Sequence, residues 1–433
     1  MAGRQIDKSF VGAGATVKAG KTKTKKRAAP ASAPRAGAPA LEVLQVFTKL
    51  GLTSFGGPVA HIGYFREEFV ERRRWLTEHS FADLVALCQF LPGPASSQFG
   101  IALGLTRAGY WGALAAWVGF TFPSALLMLL FAYGVGALGD TAGAGWLQGL
   151  KVAAVAVVAR AVFGMMQTLT PDRERATLAV VAAGIALAFP SAAGQIGAIV
   201  LGGLAGFLMF RNGEPQERGV LPVKVSRTVA VGALVVFFAL LVGLPIAAAT
   251  GASQALSYFD AFYRAGSLIF GGGHVVLPLL KAEVVAPGWI TEDTFLAGYG
   301  AAQAIPGPLL SFSAYLGAIM TPEPNGWIGA VICLVAIFLP SFLLIVGVLP
   351  FWQHLRQHSA VQAALLGVNA AVVGIMLAAL YDPIWTAGIA RRADFALAIL
   401  AFLLLYLWKT PAWLVVILCA VAGGLIGLVA PAA

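Results

Sequence analysis

Lys49-Leu50-Gly51-Leu52-Thr53-Ser54-Phe55-Gly56-Gly57 decides the fold, because it returns 215 residues later as Arg264-Ala265-Gly266-Ser267-Leu268-Ile269-Phe270-Gly271-Gly272. Further markers follow each copy in the same order. Trp75-Leu76-Thr77-Glu78 answers to Trp289-Ile290-Thr291-Glu292, and Pro92-Gly93-Pro94 to Pro306-Gly307-Pro308, with Gln89 and Gln303 three residues before each. Pro123-Ser124 returns as Pro340-Ser341, and Gly149-Leu150-Lys151 as Gly367-Val368-Asn369. The offset drifts only between 214 and 218, so the chain is a duplicated unit of roughly 170 residues.

Composition gives the medium in which this unit folds. Hydrophobic residues make up 59% of the chain and charged residues 11%, against about 25% charged in soluble domains. Apolar runs of about 20 residues recur, each long enough for a hydrocarbon core. Alternation of the strand kind is absent, so helices must satisfy the backbone. The expected fold is an all-α polytopic membrane protein. Cys88, Cys333 and Cys419 lie far apart in apolar segments and read as small packing residues.

Apolar segments run over 41–65, 80–105, 109–138, 144–168, 175–190 and 193–210. A lone segment follows at 228–249, then 255–281, 292–320, 326–350, 360–382, 393–408 and 411–430. The expected organisation is a disordered basic cytoplasmic tail over 1–40 and a first transmembrane repeat over 41–211. A loop and linker helix over 212–254 join it to a second repeat over 255–433. The odd linker forces the second copy to enter from the opposite side, so the repeats should be inverted. Nine of the 29 basic residues fall in the first 35, which suits a topology anchor and lipid-surface contact ahead of a nucleic-acid arm.

With the N-terminus inside, most Arg and Lys loops fall on the cytoplasmic side. Arg391-Arg392 and the loop 66–79, with Arg66, Arg72, Arg73 and Arg74, resist that assignment. Gly56-Gly57-Pro58 and Pro92-Gly93-Pro94 each interrupt a segment near its middle, and proline breaks a regular helix there. If both segments dip in and return, loop 66–79 becomes cytoplasmic.

A helix broken in mid-membrane exposes about four N–H groups at the start of its second half, and these with the helix dipole suit an anion. Gly56, Gly57, Gly271, Gly272, Gly93 and Gly307 allow close backbone approach between the prolines Pro92, Pro94, Pro306 and Pro308. Ser54, Ser96, Gln89 and Gln303 supply side-chain donors. Lys49 and Arg264 occupy one repeat position and are candidate ligands, with snorkelling as the competing reading. Lys151 and Asn369 form a matched polar pair expected to line a cavity. Thr77 and Thr291 read as helix caps, so a proton-coupling role for Glu78 and Glu292 is the minority reading, as it is for His61 and His274. Gly119 and Gly206 read as ordinary helix glycines that tolerate alanine.

Phe55-Gly56-Gly57-Pro58, Phe90-Leu91-Pro92-Gly93-Pro94, Phe270-Gly271-Gly272-Gly273 and Gln303-Ala304-Ile305-Pro306-Gly307-Pro308 resemble the chromate ion transporter family over roughly 41–430. The resemblance implies efflux of chromate from the bacterial cytoplasm through the inner membrane, chromate resistance, and sulfate as the chemical mimic. Other oxyanion transport and a passive anion channel remain alternatives within the membrane class, and a membrane scaffold or sensor outside it. No enzyme motif competes, and no cofactor, metal or nucleic acid is called for. The expected partners are the oxyanion and the lipid bilayer, with a homodimer compatible. The parity of the segments places the C-terminus in the periplasm.

Overall fold

The structure, a computed structural model, describes residues 40–138, 145–210, 225–251, 253–270, 273–355 and 358–429. The basic tail, except for Ala40, and Gly271-Gly272 lie outside these. Every regular element among the described residues is helical.

The first copy of the repeated motif ends α1 (Ala40–Thr53) and opens α2 (Gly57–Arg66). One continuous helix would hold Phe47 and Phe65 about 27 Å apart at 1.5 Å per residue. Their rings instead lie 6.0 Å apart, and Phe69 lies 5.3 Å from Phe47. The chain therefore folds back at Gly56, which sits at φ 95°. The return is complete, because Arg73 reaches Glu42 at 3.4 Å, beside the start of α1.

A second hairpin repeats the manoeuvre. α3 (Glu78–Phe90) breaks at Pro92-Gly93-Pro94, and α4 (Ala95–Leu138) runs back. Phe81 and Phe99 pack their rings, tilted, with centroids 5.2 Å apart. The Arg107 guanidinium then lies 4.6 Å from the Trp75 ring, so α4 has returned to the level where α3 began. There it turns at Ala108-Gly109, whose φ values of −137° and 63° are not helical, and sets off again. Loop 66–79 and Arg107 consequently share one end with the start of α1.

After α5 (Gly145–Leu169), α6 (Arg173–Ala188), α7 (Ala192–Phe210) and the linker α8 (Arg227–Ala249), the second copy rebuilds both hairpins. Its elements are α9 (Gln254–Ser267), α10 (Val276–Val284), α11 (Glu292–Ala302) and α12 (Phe312–Ile319). Tyr258 at the base of α9 meets Trp289 at 4.8 Å between ring centroids, and Phe295 meets Phe312 at 5.3 Å. The long α13 (Gly326–Val348) corresponds to α4 beyond its kink. The one-turn α14 (Trp352–Leu355) leads into α15 (Ser359–Ala379). The short α16 (Thr386–Gly388), α17 (Arg392–Tyr406) and α18 (Ala412–Val429) complete the chain.

Inversion is visible where α4 meets α13. Trp117, early in the second part of α4, packs on Phe342 at 5.7 Å, late in α13. A Cβ at Gly326, the first residue of α13, would lie 3.2 Å from the Tyr133 hydroxyl, late in α4. The equivalent helices of the two copies run antiparallel, as inverted repeats require.

The copies also exchange helices. Gly149 of α5 lies against the backbone of Cys419 in α18, and its counterpart Gly367 of α15 lies against Gly202 in α7. Small residues let these backbones touch where lipid offers no hydrophobic drive. The same logic overturns the expectation for two glycines. A Cβ on Gly119 would stand 2.7 Å from the Leu44 carbonyl, and one on Gly206 2.5 Å from that of Ala363. Both mark helix crossings rather than free surface.

Six helices, counting α4 and α15 with its extension, are long and apolar enough to cross a membrane, among the described residues. The thirteen apolar segments of the sequence thus resolve into long helices and the shorter arms of four hairpins. Outside the spans, Asp172 caps α6 on the Arg175 amide at 2.9 Å, and hydrogen bonds from Arg175 hold its carboxyl below the usual range.

Candidate functional site

The tips of the hairpins meet, and they meet crosswise. Gly93 of the first Pro-Gly-Pro donates its N–H to Ile269 O at 2.6 Å, in the second copy of the repeated motif. Gly307 of the second Pro-Gly-Pro donates to Ser54 O at 2.9 Å, in the first. Ser54 and Ile269 are repeat equivalents, so one pseudo-two-fold axis generates both bonds. Gly93 and Gly307 hold φ at 130° and 98°, a region where other residues are strained. A Cβ on Gly93 would sit 2.7 Å from Ser341 Oγ, and one on Gly307 2.9 Å from Ser124 Oγ. Those serines belong to the duplicated Pro-Ser pair. Each break therefore rests on the other copy's long helix.

The crossing engages the N–H groups of Gly93 and Gly307, and Pro94 and Pro308 have none. Donors for an anion at this point must come from neighbouring groups, and several are unoccupied. Ser54, Ser97, Gln98, Thr121 and Ser341 are buried, and each carries a side-chain polar atom without a hydrogen-bond partner. Gln303 Nε2 is likewise buried and faces the Tyr299 hydroxyl. Native interiors leave few such atoms, and here they gather near two helix breaks as hydroxyl and amide groups able to hydrogen-bond a polar ligand. Gln98 anchors its amide on Pro92 O at 2.6 Å, leaving Oε1 free. Ser96 is buried beside Ser97.

His61 is buried against Phe120, ring centroids 5.4 Å apart. It lies close to the Ser54 backbone, yet neither ring nitrogen reaches hydrogen-bond geometry. His274 shares a 2.8 Å hydrogen bond between Nδ1 and the Tyr299 hydroxyl, and a Cβ on Gly57 would lie 3.8 Å from its Nε2. The two histidines, unmatched in sequence, both stand beside the breaks.

The remaining candidates have different surroundings. Gln89 is exposed on α3, unlike half-buried Gln303. Lys49 is exposed on α1 and lines an open groove with Gln45 and Thr48. Arg264 instead donates through Nη2 to Asp260 and to Glu283, each at 2.8 Å. Lys151 turns toward the exposed start of α11, pairing with Asp293 at 2.9 Å beside a cleft lined by Glu292 and Thr386. Asn369 is half-buried on α15.

Glu78 and Glu292 are first residues of capped helices, with Thr77 and Thr291 accepting from Ser80 and Thr294. Each also pairs with a cation. Arg66 binds Glu78, and Lys281 meets Glu292 at 3.5 Å. Arg66 and Lys281 are themselves repeat equivalents, a matched charge that the offset of 215 could have exposed. Gln98, Thr121 and Ser341 were also open to discovery, since Ser341 closes a repeated dipeptide and Gln98 follows a repeated turn.

Interlocked inverted repeats with broken hairpins meeting at a polar centre define a two-repeat, all-helical polytopic membrane protein. The chain belongs to the chromate transporter family, whose sequence model matches residues 41–207 and again 256–424. It is 31% identical to a chromate transport protein of Pseudomonas aeruginosa, over 88% of this chain and 90% of that protein. It is 28% identical to an uncharacterized transporter of Methanocaldococcus jannaschii, over 89% and 94%. A chromate transport protein of Cupriavidus metallidurans is 26% identical over 78% and 81%. No solved structure matches.

Proposed function

We propose that the chain is a secondary transporter that exports chromate from the bacterial cytoplasm across the inner membrane and so confers chromate resistance. The observation that carries the reading is the crossed pair of breaks, ringed by buried, unpartnered hydroxyl and amide groups. Ser54, Ser97, Ser341 and Gln303 can donate to a tetrahedral oxyanion, and the starts of α2 and α4 add their dipoles. Relatives named for chromate transport supply the substrate class.

Topology follows from charge. The face that gathers Arg66, Arg72, Arg73, Arg74 and Arg107 is cytoplasmic by the positive-inside rule. The second part of α4, then α5 to α8, then α13, α15, α17 and α18 are read as crossings. Their number is odd, so the N-terminus lies inside and the C-terminus outside. A dianion leaving a cell held at 100 mV, interior negative, gains about 4.6 kcal/mol, so outward flow needs no ATP.

Counterflow in proteoliposomes tests the reading. Internal unlabelled chromate should accelerate entry of labelled chromate, sulfate and molybdate should compete, and phosphate should compete least. Flux without such acceleration would make the protein a channel, and no flux of any of the four would overturn the reading.

A further inference from the structure

Asp260, Arg264 and Glu283 form a cluster that the crossed site does not use. Both carboxylates accept from one nitrogen, Arg264 Nη2, at 2.8 Å each. Asp260 is 5% exposed, and its second oxygen, Oδ1, is buried with no partner, as is Arg264 Nε. A closed structural network would have consumed both atoms. Two carboxylates on one guanidinium leave a net negative charge in a poorly solvated place. Two carboxylates sharing one cation repel each other, so a proton on either one relieves the pair.

Among the described residues no other cation pairs with either carboxylate. α13 and α15 carry no charged residue and α8 has only Arg227, at its first position. Lys281, two residues from Glu283, faces Asp382 at 3.2 Å and Glu292 instead, and Asp293 is held by Lys151. In the first repeat the corresponding positions hold Gln45, Lys49 and Glu68. Glu68 there pairs with Arg72 at 3.0 Å and Arg73 at 2.6 Å, and Lys49 stays outside. The cluster is thus a property of one copy, not of the shared scaffold.

We propose that Asp260 and Glu283 form a proton-binding site that couples proton movement to oxyanion transport, an inference that rests on the transport reading above. Its mechanical lever is plain. Arg264–Asp260 joins residues within α9, whereas Arg264–Glu283 joins α9 to α10, the two arms of the hairpin whose tip receives the Gly93 N–H at Ile269. A proton arriving on Glu283 weakens the bond between the arms, and its departure restores it. Only one proton moves, and no bond between heavy atoms changes.

The test uses purified full-length protein in two measurements. In proteoliposomes carrying an internal pH dye, wild type should move chromate under an imposed membrane potential and should respond to an imposed pH gradient. Glu283→Gln and Asp260→Asn should keep potential-driven flux within about threefold while losing the response to pH. Infrared spectra at neutral pH should show a protonated-carboxyl band that either substitution removes. Wild-type chromate flux indifferent to pH, or a carboxyl band unchanged in both variants, would overturn the coupling site and leave the transport reading standing. Absence of chromate flux in wild type would remove the reading itself, and the proposal with it.

Discussion

Glu68 and Glu283 occupy the same position in the two repeats, yet one turns to arginines in the loop after its hairpin and the other locks onto the opposite arm. That divergence recurs across the site. Gln98 answers to Phe312, Thr121 to Phe338, His61 to Val276 and Gln45 to Asp260. Shared between the copies are the turn glycines, the Pro-Ser pair, the threonine caps and the cation before each glutamate. Duplication has kept the backbone mechanics twice and the polar chemistry mostly once. A tetrahedral ion bound on a pseudo-two-fold axis does not need symmetric ligands, but it does need both breaks held open.

The sharpest way to break this comparison is to attack what is shared. Gly93→Ala and Gly307→Ala each force a side chain into a positive φ and against a serine of the other copy. Each should cost about 2–4 kcal/mol in stability and abolish most transport. Thermal unfolding in detergent, alongside uptake in proteoliposomes, checks both. Gly164, with nothing near its Cβ position, should accept alanine within about 0.5 kcal/mol. A large loss from only one of the two turn glycines would mean the crossing is not mechanically symmetric.

A position that has diverged should respond unequally. Arg264→Ala strands two carboxylates and should destabilise by about 2–3 kcal/mol, whereas Lys49→Ala on its exposed helix face should change stability by less than about 0.5 kcal/mol. Chemical denaturation of both variants tests the ordering. Equal effects would restore Lys49 and Arg264 to a common role.

Ser341→Ala should weaken chromate binding by about tenfold, the worth of one hydrogen bond to a charged group, without lowering the melting temperature. Its hydroxyl has no partner to lose. Ser124 already donates to Thr121 O at 2.9 Å, so Ser124→Ala should weaken binding less. Equilibrium binding on the purified variants compares them directly.

The duplication, its inversion and the fold-back at Gly56 and Pro92-Gly93-Pro94 were legible because each is written as a local rule, broken helix or parity of segments. Crosswise contact between the breaks was not. Gly93 and Ile269 have no signal in common, and only packing shows that a glycine N–H freed by proline is spent on the other copy. Lys151 shows a related limit. Its apolar neighbours place it in a span, but a long flexible stem carries the ammonium to Asp293. Gly119 and Gly206 look like any helix glycine until the partner helix is seen.

The smallest expected effect concerns the best-matched pair. Thr77 and Thr291 each accept a hydrogen bond from the third residue beyond, Ser80 N at 3.1 Å and Thr294 N at 3.3 Å. Both satisfy one orphan donor at the start of a hairpin arm. Replacing a threonine cap by alanine costs about 1 kcal/mol. Equal geometry at opposite ends of the molecule predicts equal losses for Thr77→Ala and Thr291→Ala, additive in the double variant because the sites share no partner. Melting temperatures of the two single variants and the double variant decide it. An unequal pair would show that even the scaffold has diverged, and that the second hairpin, with Lys281 shared between Glu292 and Asp382, is held by more than its cap.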